Sequence, residues 1–379
     1  MPRSGRELLP ALLFLSPFLV VLAIFFVYAS ARAVYFSFTD YDLFNAPKWV
    51  GLENYRALFK DDNFLYALRN SLVFAAVVTA VQTAGALVTA SALNRRVRGM
   101  TFFRSAFYMP AVTSSVVITL IFLWLFQRLG GINYLITAVA RNAPAIGLFV
   151  LVAIVVQAIQ VVLERRRWRG ATGGASKRTV AAFDPALLVV SLLVAAAATI
   201  GLGLLGYLAP RGTDSVAINW LQTRQEVPNG APFFLRAPLP LVAIMVQNTF
   251  TTIPTFMLMF LAALQDVPRS YYEAAALDGA NPAQQFFYIT VPSLQPVIFL
   301  VVSLGLIGTL QMFDQVAIFG SAVPLQSVIT LAYFVYNRMF PGAQLPEVGF
   351  ASAAAMFLAA LTLVIVLLQR TVLRAEGDR

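Results

Sequence analysis

Residues 265–293 read Gln-Asp-Val-Pro-Arg-Ser-Tyr-Tyr-Glu-Ala-Ala-Ala-Leu-Asp-Gly-Ala-Asn-Pro-Ala-Gln-Gln-Phe-Phe-Tyr-Ile-Thr-Val-Pro-Ser and lie between two long apolar runs. Most other connections are short and polar, whereas this one carries its own helical punctuation. Asp266 is placed to cap a helix and Pro268 to sit in its first turn, while Ala274, Ala275, Ala276 and Leu277 are strong helix formers. Gly279 supplies a left-handed stop, Asn281 and Pro282 form a second cap and first-turn pair, and Pro292 is expected to close that helix at Ile289 or Thr290. The segment therefore predicts two short helices joined by a sharp turn. A helix of about ten residues is marginal alone in water and needs a surface to pack on. Three consecutive alanines let another backbone approach around Glu273. A groove on a soluble partner, with Glu273 as charged contact and Tyr271, Tyr272 and Leu277 as apolar anchors, meets that need. A bed of lipid headgroups meets it equally, and periodicity does not separate the two.

Working outward, the 379 residues are 59% hydrophobic and 12% charged, against roughly half and a quarter in a soluble domain. With a mean hydropathy of +0.77, the apolar residues must form long runs rather than single faces. A hydrocarbon core of about 30 Å needs about 20 helical residues. Eight runs approach that length: Leu8–Ser30, Leu68–Leu93, Phe102–Phe126, Pro144–Leu163, Pro185–Ala209, Pro238–Leu264, Leu294–Gly320 and Gly349–Leu368. An even number puts both termini on one side. If that side is the cytoplasm, the inner segments hold 16 of the 27 Lys and Arg residues, including the clusters Arg95–Arg98 and Arg165–Arg169. The positive-inside rule supports this orientation, so the segment 265–293 is cytoplasmic.

The formal charge of +10 is thus read as membrane topology rather than nucleic-acid binding, since no recognisable binding domain surrounds the basic clusters. Gly170–Thr179 loosely suggests a phosphate loop but fails, because Ser176 rather than glycine precedes Lys177 and no strand-then-helix context exists there. The chain has no cysteine and no histidine, which removes disulfides, histidine-ligated metals and the Ser/His and Cys/His catalytic arrangements. No metal site and no catalytic residue is expected. The first run is longer than the roughly 7–15 apolar residues of a secretory signal and reads as an uncleaved helix in contact with lipid.

Glu273-Ala274-Ala275, Asp278-Gly279-Ala280, Ile289, Val291-Pro292 and Pro296 resemble the EAA signature of membrane subunits in binding-protein-dependent ABC importers. Phe260–Gln265 and Tyr272–Ala275 resemble its carbohydrate branch, of maltose-permease type. Further matches are Ser37–Tyr41, Gly51–Tyr55, Asn70–Leu72, Met109-Pro110, Trp124–Phe126, Gly131–Asn133, Phe313-Asp314, Tyr333–Tyr336 and Gly349–Ala353. The resemblance covers roughly 300 residues, all except about Arg141–Ala217.

This resemblance implies an all-α polytopic membrane protein: the six-helix core of a type I ABC importer permease, plus an inserted transmembrane hairpin, about eight spans in all, both termini cytoplasmic. The expected division is a first transmembrane helix and outer loop at 1–67, core helices two and three at 68–140, the inserted hairpin with a basic cytoplasmic turn at 141–217, and core helices four to six at 218–379. It implies a location in a bacterial or archaeal cytoplasmic membrane. It assigns Tyr272, Glu273, Ala274, Ala275, Leu277, Asp278, Gly279 and Pro292 to coupling with a separate cytoplasmic ABC ATPase dimer, which would hold ATP and magnesium; this chain would bind no cofactor. The further partners implied are a second homologous permease, an extracytoplasmic solute-binding protein and a sugar substrate. Two departures stand out: Ile318–Pro324 replaces a Gly-Gly-Pro stretch common in the family, and the hairpin enters where a maltose-type permease carries a soluble outer domain.

A sugar path needs hydrogen-bonding groups and aromatic faces with hardly any fixed charge. Candidates on the sixth and seventh runs are Gln247, Asn248, Thr249, Thr251, Thr252, Gln311, Phe313 and Asp314. An unpaired acid in lipid costs at least about 2.5 kcal/mol, so Asp314 is expected to face the bundle interior or water. Alternatives are a permease for a non-sugar solute such as glycerol phosphate, and an ion-coupled secondary transporter. The latter wants repeats and intramembrane ionisable groups, and Asp314 is the sole acid in any run. A membrane-embedded enzyme would need paired acids, and no two share a run.

Overall fold

The computed structural model describes residues 5–94, 100–170, 185–208, 217–228, 230, 232–320 and 322–377. The first apolar run is helical throughout: α1 (Gly5–Leu22) passes through a π-turn at Ala23–Tyr28 into α2 (Ala29–Ser37). Strands β1 (Thr39–Asp40) and β2 (Lys48–Trp49) form a small antiparallel ribbon, followed by α3 (Glu53–Leu58). Asp61 caps α4 (Asp62–Leu93) by accepting the Phe64 N–H at 3.1 Å. Then come α5 (Met100–Val112), α6 (Ser115–Leu125), α7 (Gly131–Arg141), α8 (Ala143–Gly170) and α9 (Pro185–Leu204). A second ribbon pairs β3 (Glu226–Val227) with β4 (Ala237–Pro238) and leads into α10 (Leu239–Asp266). Short helices α11 (Arg269–Leu277), α12 (Pro282–Gln285) and α13 (Val291–Ser293) precede α14 (Gln295–Leu310). The chain closes with α15 (Asp314–Phe319), α16 (Leu325–Val328), α17 (Leu331–Met339) and α18 (Val348–Gly377).

Among the described residues seven helices are long and apolar enough to cross a membrane, and eight if one bent pair is counted as a span. That pair occupies the run Phe102–Phe126, which is helical but bent. α5 and α6 meet at 97°, because Pro110 removes a backbone donor near the end of α5 and the Thr113 hydroxyl turns back onto the Met109 carbonyl at 2.9 Å. The run Leu294–Gly320 is likewise interrupted, since α14 stops at Leu310 and α15 begins only at Asp314. Thr330 donates its hydroxyl to the Met312 carbonyl at 2.8 Å in that gap, which satisfies one backbone group the broken helix leaves open.

The chain divides into two compact units. The first comprises 1–123 and 220–379, the second 124–219. In the first, α4 is the central strut. Toward its Leu93 end, Ala86, Ala90 and Leu93 pack with Phe256, Phe260 and Leu264 of α10 and with Val301 of α14. Toward its Asp62 end, Phe64, Ala67 and Ala75 pack with Leu331 and Phe334 of α17 and Ala353, Ala354 and Leu358 of α18. In the second unit α8 lies along α9, where Ser191 donates to Gln157 at 2.6 Å. Both helices bury little, 6% and 11% of their most apolar stretch against 44% for α4 and for α10, which leaves apolar surface for lipid.

At the Asp62 end of α4, three motif segments converge. Asn54 donates its amide to the Ser37 and Thr39 carbonyls at 3.1 and 2.9 Å, Tyr55 donates to the Ser37 hydroxyl at 2.9 Å, and the Gly349 N–H reaches the Tyr41 carbonyl at 3.0 Å. A Cβ on Gly349 would collide with the Thr39 carbonyl oxygen. Gly349→Ala should therefore cost about 1–3 kcal/mol, because the obstructing atom is backbone and cannot swing aside. Gly308, with nothing within 4 Å of an added Cβ, serves as control: thermal unfolding in detergent should fall for Gly349→Ala and hold for Gly308→Ala.

Candidate functional site

The loop after α10 is built as two short helices, with two adjustments to the expected capping. α10 runs through Asp266, so Asp266 is its last residue rather than the next cap; Val267 is extended and Pro268 itself stands at the cap of α11. The φ of a proline suits that boundary and needs no side-chain bond. α11 ends as its alanines and glycine dictate. Gly279 has φ +84°, its N–H bonds the Ala276 carbonyl at 3.1 Å, and the Ala280 N–H bonds the Ala275 carbonyl at 2.9 Å, the paired pattern of a left-handed helix stop. Asn281 and Gln284 then exchange side-chain and backbone bonds at 2.9 and 2.8 Å, a reciprocal cap for α12.

Pro292 does not end this second helix. A π-turn at Phe286–Thr290 intervenes, closed by the Val291 N–H on the Phe286 carbonyl, and Pro292 falls in the first turn of α13 where no donor is required. The Tyr272 and Thr290 hydroxyls share a hydrogen bond of 3.0 Å, so α11 is tied to the π-turn. The eight residues expected to couple thus divide. Tyr272, Ala275, Gly279 and Pro292 build the loop. Glu273, Ala274, Leu277 and Asp278 lie on its open surface; Leu277 is 90% exposed, with Tyr271, Phe287 and Tyr288 also exposed. A nine-residue helix that presents a leucine and several rings to solvent offers an apolar contact surface.

The path candidates form two groups. Gln247, on α10, is buried against α6, where its amide donates to the Thr119 hydroxyl at 2.5 Å while its own oxygen has no partner among the described residues. Asn248, Thr249, Thr251 and Thr252 beside it are half-buried, and the Thr251 hydroxyl turns back to the Gln247 and Asn248 carbonyls. The second group sits at the break between α14 and α15. Gln311 and Asp314 are exposed, and the Asp314 carboxylate has no partner among the described residues. Phe313 stacks on Tyr333 at 6.1 Å and meets Tyr336 edge-on at 5.0 Å, and Tyr336 continues to Phe340 at 5.3 Å. Phe313, Met339 and Phe340 line a hollow of about 370 Å³. Non-helical backbone at membrane depth is tolerated where it lines a cavity, which suits a place where rings and an uncompensated acid face water.

Two features escaped the sequence reading. Arg69, 1% exposed, donates to Glu226 at 2.5 Å and to Asn70, and lies over both the Tyr66 and Phe233 rings. Asn70 holds the Gln326 and Ile329 carbonyls, and Ser71 accepts the Leu331 N–H. A basic residue directly before Asn70-Ser71 was the available signal, but its partner lies 157 positions away. The second feature is Gln82, buried on α4. At the Asp62 end of the unit, Asp40, Asp42, Lys60, Arg338 and Glu347 line a cleft of about 770 Å³. Arg338 pairs there with Asp61 and Glu347. Hydrogen bonds from Asn45 hold the Asp42 carboxyl below its ordinary range, so it stays ionised.

Helices of this length, a central α4 and an exposed helix-turn-helix loop between the last spans define a membrane-embedded transport component. Residues 179–375 match the family described as binding-protein-dependent transport system inner membrane component, and the chain belongs to that family. It is 26% identical over 345 residues to the probable ABC transporter permease protein YesP of Bacillus subtilis (strain 168), covering 90% of this chain and 83% of that one. It is 25% identical over 361 residues to the sn-glycerol-3-phosphate transport system permease protein UgpA of Yersinia pestis, covering 94% and 92%. A crystal structure of a bacterial ABC transporter involved in the import of the acidic polysaccharide alginate contains a chain that superposes with TM-score 0.62 at 17% identity, covering 98% of this chain and 96% of that one. That last likeness is one of fold. The chain is a multi-pass permease subunit of a binding-protein-dependent ABC importer.

Tyr272→Phe should remove one hydrogen bond, worth about 1 kcal/mol. Amide exchange across Arg269–Leu277 should then quicken by up to about tenfold while α4 keeps its protection; unchanged exchange would show that the tie to Thr290 does not hold the loop.

Proposed function

We propose that this chain forms half of an ATP-driven path for a neutral sugar or oligosaccharide and is coupled to a separate ATPase through Arg269–Ser293. One observation carries the coupling: α11 places Glu273 and Leu277 in the open on a loop whose turn at Gly279 and cap at Asn281 are satisfied from within. A rigid lever with an uncovered tip suits a cleft on another protein, where the carboxylate meets a basic group and the leucine an apolar floor. The sequence has no phosphate-loop motif of its own, so ATP and magnesium belong to the partner dimer, whose closure would draw the levers together and rock the spans. A second, similar permease supplies the other wall. A solute-binding protein outside delivers the sugar, and the charged cleft lined by Asp42 and Arg338 lies at the end of the unit away from the lever.

Charge supports this solute class. No Lys or Arg lies on α10 or from Gln295 through Phe319, whereas a phosphate or a polyuronate wants arginine forks. Amides, hydroxyls and the Phe313–Tyr336 rings suit a neutral polyhydroxylated ring instead. The likeness to UgpA favours a second reading, glycerol phosphate, which competition for uptake by glycerol phosphate would reveal.

In vesicles holding the full complex, Glu273→Lys should insert normally yet lose stimulation of the ATPase by solute-loaded binding protein by more than about tenfold, the scale of a central contact. Normal stimulation would refute the coupling role.

A further inference from the structure

Along the seam between α8 and α9, Ala153, Ile154, Ala158 and Val161 line one side of a groove of about 330 Å³, and Leu188 and Leu192 the other. The two polar side chains that also line it are turned on each other, Ser191 donating to Gln157 at 2.6 Å. The groove therefore offers hydrocarbon along its length. Val161 and Ser191 are buried, whereas Ile154 is 63% and Leu192 40% exposed, so the groove is open on its outer side. Beyond Val161, α8 continues as helix through Glu164, Arg165, Arg166, Arg167, Trp168 and Arg169. Positions 165 and 168 follow Val161 at helical spacing and share its register. From Ala153 to Arg165 the helix rises about 18 Å, close to one leaflet's share of a hydrocarbon core of about 30 Å. In the sequence from Glu164 to Asp184, six Lys and Arg residues stand against those two acids.

In a bilayer the groove gains nothing by hiding oily surface, because lipid chains are as apolar as its walls. It acts by shape, as a slot that fixes where a chain lies, and the charge at its end then selects the headgroup. A third transmembrane helix, about 10–12 Å across, would fill the slot but bring no counter-charge to the arginines. We propose that the α8–α9 hairpin holds one anionic phospholipid, with an acyl chain seated in the groove and the headgroup phosphate at the arginine-rich end of α8. Basic residues at the cytoplasmic ends of spans draw acidic headgroups, and the positive-inside rule places these on that side. Sidedness alone asks only for charge; it does not ask for an apolar slot in register with that charge. The proposal stands whichever solute the importer carries.

The test is a count of lipids retained by the complete complex, stripped in detergent and re-supplied with equal amounts of phosphatidylglycerol and phosphatidylcholine, read by native mass spectrometry. Phosphatidylglycerol should be kept over phosphatidylcholine by about tenfold, the scale of one or two basic residues at an anionic surface. Ala158→Phe fills the groove without altering an arginine, and should lower the count by one phosphatidylglycerol per copy of this chain. A triple variant, Arg165→Gln with Arg166→Gln and Arg167→Gln, should lose the same molecule while Arg169, Lys177 and Arg178 remain to hold sidedness. Equal retention of the two lipids, or an unchanged count in Ala158→Phe, would overturn the proposal and leave the arginines a topological role only. If the triple variant fails to assemble, the Ala158→Phe count decides alone. The chain contains no cysteine, so Ile154→Cys in an otherwise cysteine-free complex can carry a benzophenone maleimide. Its photoproduct in phosphatidylglycerol vesicles should be lipid; a cross-link to a second polypeptide would make the occupant a protein and refute the lipid.

Discussion

Everything in the first unit is hung on the burial of α4. Its alanines and Gly85 let α10 and α14 approach closely at one end, and Phe64, Ala67 and Ala75 receive α17 and α18 at the other. In a bilayer, lipid chains are as apolar as leucine, so helices gain little by hiding oily surface from lipid and associate through close packing and hydrogen bonds. Arg69, Asn70 and Ser71 supply the bonds at the Asp62 end, Arg69 holding Glu226 and the other two holding the stretch from Gln326 to Leu331. Small residues supply the packing elsewhere. The result is a strut with a hydrogen-bonded polar end and a closely packed apolar end.

The outline of this arrangement was written in the run lengths, because an apolar stretch of about 20 residues has essentially one fate in lipid. What run length cannot encode is continuity. The third run had a warning in Pro110, yet a proline bends or merely perturbs a helix according to what accepts the freed carbonyls, and that is a tertiary matter. The interruption after Leu310 had no proline or glycine within Gln311–Phe313 to announce it; it is stabilised by Thr330, which follows in a separate helix-and-turn segment.

The loop was more legible than the path. Glycine at 279 and the Asn281–Gln284 pair act locally, so their effects can be read from neighbours in the chain. Pro292 misled because the π-turn before it shifts the bonding register, and such turns leave no compositional mark. For the path, polarity identified Gln247 and Asp314 but not their surroundings: one is deep against Thr119, the other open at the break. Gln82 was overlooked because one amide in a long apolar run has no local signature.

The bonds among Ser37, Asn54, Tyr41 and Gly349 join the beginning of the chain to its last helix. A ribosome feeds the membrane one segment at a time, so the seat for α2 does not exist until α18 has emerged. During synthesis the leading helix must therefore wait in lipid, or under the care of the insertion machinery, without its final neighbour. Completion of the bundle is a late event, governed by the arrival of the C-terminal span rather than by the order in which helices enter the bilayer.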